Sequence, residues 1–234
     1  MIYATADLHG YPLDKFKQLL HKAGFSDEDF LFVIGDVIDR GEHGVSLLRW
    51  LMLQPNIQLI RGNHEAVLLS CSFVFDEITE ETVAALDAEK LGLFQTWCAN
   101  GAEPTLAALA QCDPDTRADL LEYLRETPLY DTVSVGGRNF VMAHAGLGNY
   151  RTGKRIGEYT EQELLWTRLS ADERYSDEFI TLVGHTPTFH YGEEHRGRIF
   201  QTDTWMDLDT GAGYDLWPVL LRLDDMQVFY PDVS

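Results

Sequence analysis

Short apolar runs alternate with longer amphipathic stretches over the first sixty residues, and each run stops at a small polar cluster flanked by glycine. Ile2 to Ala6, Phe30 to Ile34 and the segment 57–62 (IQLIRG) read as buried strands. Between them, Leu13, Phe16, Leu19, Leu20 and Ala23 recur at helical spacing, as do Val45, Leu48, Leu51 and Met52. Strand–helix–strand–helix–strand implies parallel strands joined by right-handed crossovers. From Glu65 to about Glu126 the pattern is helical and acid-rich, as in DEITEETVAALDAEK. Beyond it the chain turns strand-rich. LYDTVSVGGRNFVMAHAG predicts a hairpin around Gly136-Gly137, because paired glycines accept the positive φ of tight hairpin turns. EFITLVGH, GRIFQTD and WPVLLRLDDMQVFY supply further strands, the last two forming a hairpin around Asp224-Asp225. With no repeat or linker, the expectation is one α/β domain over residues 1–234 with a helical insertion at about 66–126.

The chemistry gathers where the strands end. The first delivers Asp7-Leu8-His9-Gly10, the second Gly35-Asp36, the third Arg61-Gly62-Asn63-His64-Glu65. Later ones deliver His144-Ala145-Gly146 and Gly184-His185-Thr186-Pro187. A lone Asp-x-His is usually a turn, Gly-Asn-His alone is a helix cap, and a lone Gly-His-Thr is often a satisfied core histidine. Repeated at successive strand ends, such residues converge on the crevice where α/β sheets place their sites. Asp, His and Asn are O and N ligands suited to Mn²⁺, Fe or Zn²⁺, and they lack the thiolates of a structural zinc site. There are more of them than one catalytic ion needs, so they predict two ions about 3.5–4 Å apart sharing a carboxylate.

Charge narrows the partners. Thirty-eight acidic against eighteen basic residues give −20, which disfavours nucleic-acid backbones and anionic membranes. Any anionic substrate must therefore be drawn in locally. Three cysteines (Cys71, Cys98, Cys112) without close spacing predict no disulfide framework. None has an arginine six positions later, which argues against a cysteine-phosphatase loop. With no basic leader and no long apolar segment, the expected location is cytoplasmic.

DLHG, GDVIDRG, RGNHE, HAG and VGHTP, in this order, resemble the phosphoprotein phosphatase family of calcineurin-like metallophosphoesterases, above all its short bacterial and phage branch. The resemblance implies a four-layer α/β/β/α sandwich of two mixed β-sheets flanked by helices. It implies that Asp7 and His9 bind a first ion, that Asp36 bridges, and that Asn63, His144 and His185 bind a second. The ions are expected to be Mn²⁺, with Fe or Zn²⁺ also suited, and to hold a hydroxide that attacks phosphorus directly. His64 is the implied general acid, paired with Asp39; a ligand role for His64 is the competing assignment. Arg40, Arg61 and Arg168 are the implied phosphate-binding residues, since a guanidinium fork matches phosphate oxygens. Asp209 resembles a residue behind the metal histidines.

The expected substrate is a phosphoserine or phosphothreonine protein or peptide, with phosphotyrosine also in range. Hydrolysis of dinucleoside polyphosphates is the alternative, and a non-catalytic interaction module is disfavoured by the complete ligand set. GDVIDRG favours the first, since symmetrical dinucleotide hydrolases usually show Ala-Arg-Gly-Pro there. Tyr150, Tyr159 and Trp166 are aromatic candidates for holding bases, without forming an obvious pair in the sequence.

Overall fold

In the computed structural model, which describes residues 1–232, β1 (Ile2–Ala6), β2 (Phe30–Ile34) and β3 (Ile57–Ile60) lie parallel and adjacent. Helices α1 (Leu13–Lys22) and α2 (Gly44–Met52) make the two crossovers. A run of helices follows: α3 (Asn63–Ser70), α4 (Glu80–Ala84), α5 (Ala88–Ala99), α6 (Glu103–Gln111) and α7 (Pro114–Glu126). Their starts are written locally. The Asp87 and Asp113 side chains accept from Lys90 and Thr116 N–H groups, and Pro114 occupies the first turn of α7, where no N–H is needed.

The second sheet opens with the hairpin β4 (Tyr130–Val135) and β5 (Arg138–Ala143) around Gly136 (φ +60°) and Gly137 (φ +76°). After α8 (Glu161–Leu165) come β6 (Ile180–Val183), β7 (Phe200–Gln201) and β8 (Trp205–Asp207), giving the order β4-β5-β6-β8-β7. The chain then returns to the first sheet through β9 (Leu220–Arg222) and β10 (Gln227–Phe229), whose order is β10-β9-β1-β2-β3. Both sheets are mixed.

Period-two alternation decides which layer each side chain joins. Ala4, Ala6, Phe32 and Ile34 of one sheet meet Phe140, Met142, Leu182 and Met206 of the other in a shared core. Their neighbours Tyr3, Leu31 and Val33 point the opposite way, into α1, α2 and the helical run. Val141, Val183 and Trp205 pack with Leu164 of α8 outside the second sheet. The result is the α/β/β/α sandwich, with each buried Leu, Ile or Phe worth about 1.5–3 kcal/mol. Among the described residues, no helix is long and apolar enough to cross a membrane.

Candidate metal centre

The two sheets present the carboxyl ends of β1, β2, β3, β5 and β6 at one edge, and backbone bonds lace the turns together there. Asp7 N–H donates to Gly35 O (3.1 Å), His9 N–H to Asp36 O (2.8 Å), and Gly184 N–H to His144 O (2.8 Å). Asp7, His9, Asp36, Asp39, Arg40 and His185 all take left-handed backbone, with φ between +40° and +71°. Each costs roughly 1–2 kcal/mol relative to the right-handed region, so the surroundings must hold these turns in place. Close approach adds to the demand. A Cβ on Gly62 would lie 2.2 Å from Asp36 Oδ1, and one on Gly184 would lie 1.8 Å from Asp7 Oδ2.

Glu65 supplies much of that hold. Fully buried, it accepts from the Asp36 N–H (2.8 Å), Val37 N–H (2.8 Å) and Gly62 N–H (3.0 Å). The third strand's turn thereby grips the second strand's turn. Burial, with Asp36 nearby, raises the Glu65 pKa above the usual carboxylate value.

All six expected ligands converge. Asp36 Oδ2 lies 3.6 Å from His9 Nε2 and 3.4 Å from His144 Nε2, and His9 Nε2 lies 4.0 Å from Asp7 Oδ1. Asn63 Oδ1 sits 2.8 Å from both His144 Nε2 and His185 Nδ1. The ring atoms are aimed from behind. His9 Nδ1 faces Ile38 O and His144 Nδ1 faces Ile34 O, each at 3.0 Å. A neutral imidazole that donates Nδ1–H to a carbonyl turns a bare Nε2 lone pair inward. For His144 that lone pair meets another acceptor, Asn63 Oδ1, with Asp36 Oδ2 close by. Acceptors that converge in this way need a cation or a proton between them.

The electrostatics state the same demand. Burial, followed by repulsion from Asp209, Asp36 and Asp207, pushes Asp7 well above the usual carboxylate range. Burial drives Asp36 upward too, but His144 and His64 hold it well below that range. Burial depresses His9, and it pushes His185 down to about 3, with His144 adding to the effect, so both rings offer lone pairs. His144 goes the other way, because Asp36 outweighs its burial. The donor set fits divalent ions of the Mn, Fe or Zn type.

His64 is held differently. Its Nδ1 lies 2.6 Å from Asp39 Oδ2, its backbone N–H donates to Asp36 Oδ1 (3.1 Å), and its Nε2 faces Arg40 Nη2 at 3.4 Å. Burial lowers its pKa, but Asp36 and the Asp39 bond prevail and raise it. His9, Asp36 and His64 nonetheless lie close enough together to share an ion, which keeps the ligand alternative geometrically open.

The arginines separate. Arg40 and Arg168 line a pocket of about 180 Å³ over Asp36, Asn63, His64 and His185, and Arg168 also donates to Thr186 Oγ1 (3.2 Å). Arg61, the third arginine expected to bind phosphate, is not among the residues lining this pocket. Its guanidinium donates to Arg125 O (2.7 Å), Thr127 O (2.9 Å) and Thr127 Oγ1 (3.2 Å), so it ties β3 to the end of α7. Asp209 is buried near the cluster, but its Oδ1 accepts from its own loop at Gly211 N–H (3.0 Å), and burial raises its pKa to about 7. Of the aromatic candidates, Tyr159 is buried and Tyr150 packs on Tyr175, whereas Trp166 walls the pocket. Sequence reasoning missed Tyr214, which also walls it and lies under the Arg40 guanidinium at 4.7 Å.

At the strand ends of a two-sheet α/β sandwich, two clusters able to hold a metal ion therefore meet at one carboxylate, Asp36. The chain belongs to the calcineurin-like phosphoesterase family, whose model matches residues 1–217. It is 28% identical over 188 residues to a symmetrical bis(5'-nucleosyl)-tetraphosphatase of Haemophilus ducreyi, covering 79% of this chain and 58% of that protein. It is 30% identical over 169 residues to serine/threonine-protein phosphatase 2 of Escherichia coli, covering 70% of this chain and 66% of that one. The chain thus spans less than two thirds of either relative. A solved structure provisionally assigned as a diadenosine tetraphosphatase shares the fold, with a TM-score of 0.65 at 17% identity over 100% of this chain and 94% of that one.

Proposed function

We propose that this chain hydrolyses dinucleoside polyphosphates. The observation that carries the reading is the pocket itself. Lining it with the candidate ligands are two guanidinium groups, Arg40 and Arg168, and two partly exposed aromatic residues, Trp166 (40% exposed) and Tyr214 (46% exposed). Cations beside the candidate ligands suit a polyphosphate chain, and aromatic side chains in the same pocket suit bases. The tetraphosphatase named above supports the same substrate class.

Two divalent ions, when bound by Asp7, His9, Asp36, Asn63, His144 and His185, supply positive charge to phosphoryl oxygens and activate water as the nucleophile. The chain's own residues do the rest. Arg40 and Arg168 orient and neutralise the phosphoryl group being cut. His64, held through Nδ1 by Asp39, gives its Nε2 proton to the leaving oxygen as the phosphorus–oxygen bond breaks. Glu65 keeps the Asp36 turn rigid throughout.

Hydrolysis of phosphoproteins is the second reading. The Asp39-Arg40-Gly41 sequence within GDVIDRG and the likeness to the E. coli protein phosphatase favour it. The two are separated by kcat/KM for diadenosine tetraphosphate and for a phosphoserine peptide under equal Mn²⁺ loading. We expect the dinucleotide to be preferred by at least ~10-fold, about 1.4 kcal/mol of transition-state preference. A preference of that size for the peptide installs the second reading.

A further inference from the structure

We propose that the α5–α6 junction of the helical run is a positioning device for the acid and the phosphate arginine, with Trp97 as its central residue. Three bonds from this segment reach the Asp39–Arg40 dipeptide. Trp97 Nε1–H donates to Asp39 Oδ2 (2.8 Å), Thr105 Oγ1 accepts from Asp39 N–H (3.0 Å), and Gly101 O accepts from Arg40 N–H (2.8 Å). Both residues of the dipeptide are left-handed, at φ +68° and +67°, a conformation that persists only where several contacts enforce it.

The convergence at Asp39 is specific. His64 and Trp97 both bond Oδ2, while the other oxygen, Oδ1, is buried without a hydrogen-bond partner. A carboxylate held by one donor alone is free to rotate about χ2 and to swing the imidazole with it. The indole fixes that rotation, and so fixes where His64 Nε2 points. Trp97 is itself immobilised, being 1% exposed and packed edge-on against Phe94 at 6.3 Å. A buried tryptophan needs a partner for its N–H in any fold. Here that partner is the oxygen that steers the acid.

The inference rests on His64 acting as an acid, and it is independent of which phosphoester is the natural substrate. The test compares phenyl phosphate, whose leaving group needs a proton, with nitrophenyl phosphate, whose leaving group does not, on full-length Mn²⁺-loaded protein. Trp97→Phe keeps the ring bulk and removes the N–H. It should lower kcat on phenyl phosphate by about 10-fold, a fraction of the range general acids supply, with KM unchanged and nitrophenyl phosphate within about 2-fold. Thr105→Val should show the same split and Thr105→Ser should restore it, which covers a Trp97→Phe protein that fails to fold. Equal losses on both substrates, or no loss, overturn the proposal. His64→Asn, run alongside, isolates the premise: if it shows no leaving-group dependence, the acid assignment has failed as well.

Discussion

Asp36→Asn is expected to strip the site of its ions and to abolish turnover. Asp36 lies in both clusters able to hold an ion, His9–Asp36–His64 and Asp36–His144–His185, so one substitution strikes both. Loss of a residue that only supports a ligand typically costs 10–100-fold in metal affinity. Loss of the shared carboxylate should cost at least ~100-fold at each position, by extension of the same scale. The Asn side chain retains an oxygen to accept the His64 N–H now held by Asp36 Oδ1 at 3.1 Å, so the local turn should survive. Elemental analysis of the purified variant checks the result. Normal metal content would show that Asp36 does not bridge.

His64→Asn should fail in another way. Its ring is engaged by Asp39 at 2.6 Å, as the proposed acid role requires, although its Nε2 comes within 3.8 Å of Asp36. The variant should keep both ions and lose ~10²–10⁴-fold in turnover, the usual contribution of a positioned acid. The smallest loss should fall on nitrophenyl phosphate. If the variant emerges without metal, His64 is a ligand and the acid must be found elsewhere.

The contrast between these residues reflects what a chain shows locally. Asp7, Asp36 and Asn63 stand at the ends of apolar strands with glycines beside them, so both the fold and the gathering of these residues at one edge were readable from periodicity and punctuation. The β8 strand was not. Trp205–Asp207 is three residues long within TDTWMDLDTG, too short to show alternation, yet it lies inside the second sheet between β6 and β7. Trp97 and Thr105 were equally hidden, because their partner Asp39 lies 58 and 66 positions away and no local pattern encodes such a meeting. Arg61 shows the opposite case. Its neighbours matched a motif, but three acceptors on Arg125 and Thr127, at the end of α7, hold its guanidinium. Glu65 was visible only as part of a motif, and its role as the tie between two turns needed coordinates.

The distribution of charge bears on how an anionic substrate of the proposed kind would be drawn in. The −20 net charge repels polyanions at a distance. At the pocket, Arg40 and Arg168 stand beside candidate ligands that two divalent ions would more than neutralise, so the local field would reverse sign once they are bound.

The measurement closest to the central claim is a Mn²⁺ titration of chelator-stripped protein, followed simultaneously by bound metal and by hydrolysis. Activity should be absent in the stripped protein and rise to a plateau at two ions per chain, and Mn²⁺ should restore it better than Mg²⁺ because imidazole ligands suit the softer ion. Full turnover in the stripped protein would contradict a two-metal centre at Asp7, His9, Asp36, Asn63, His144 and His185.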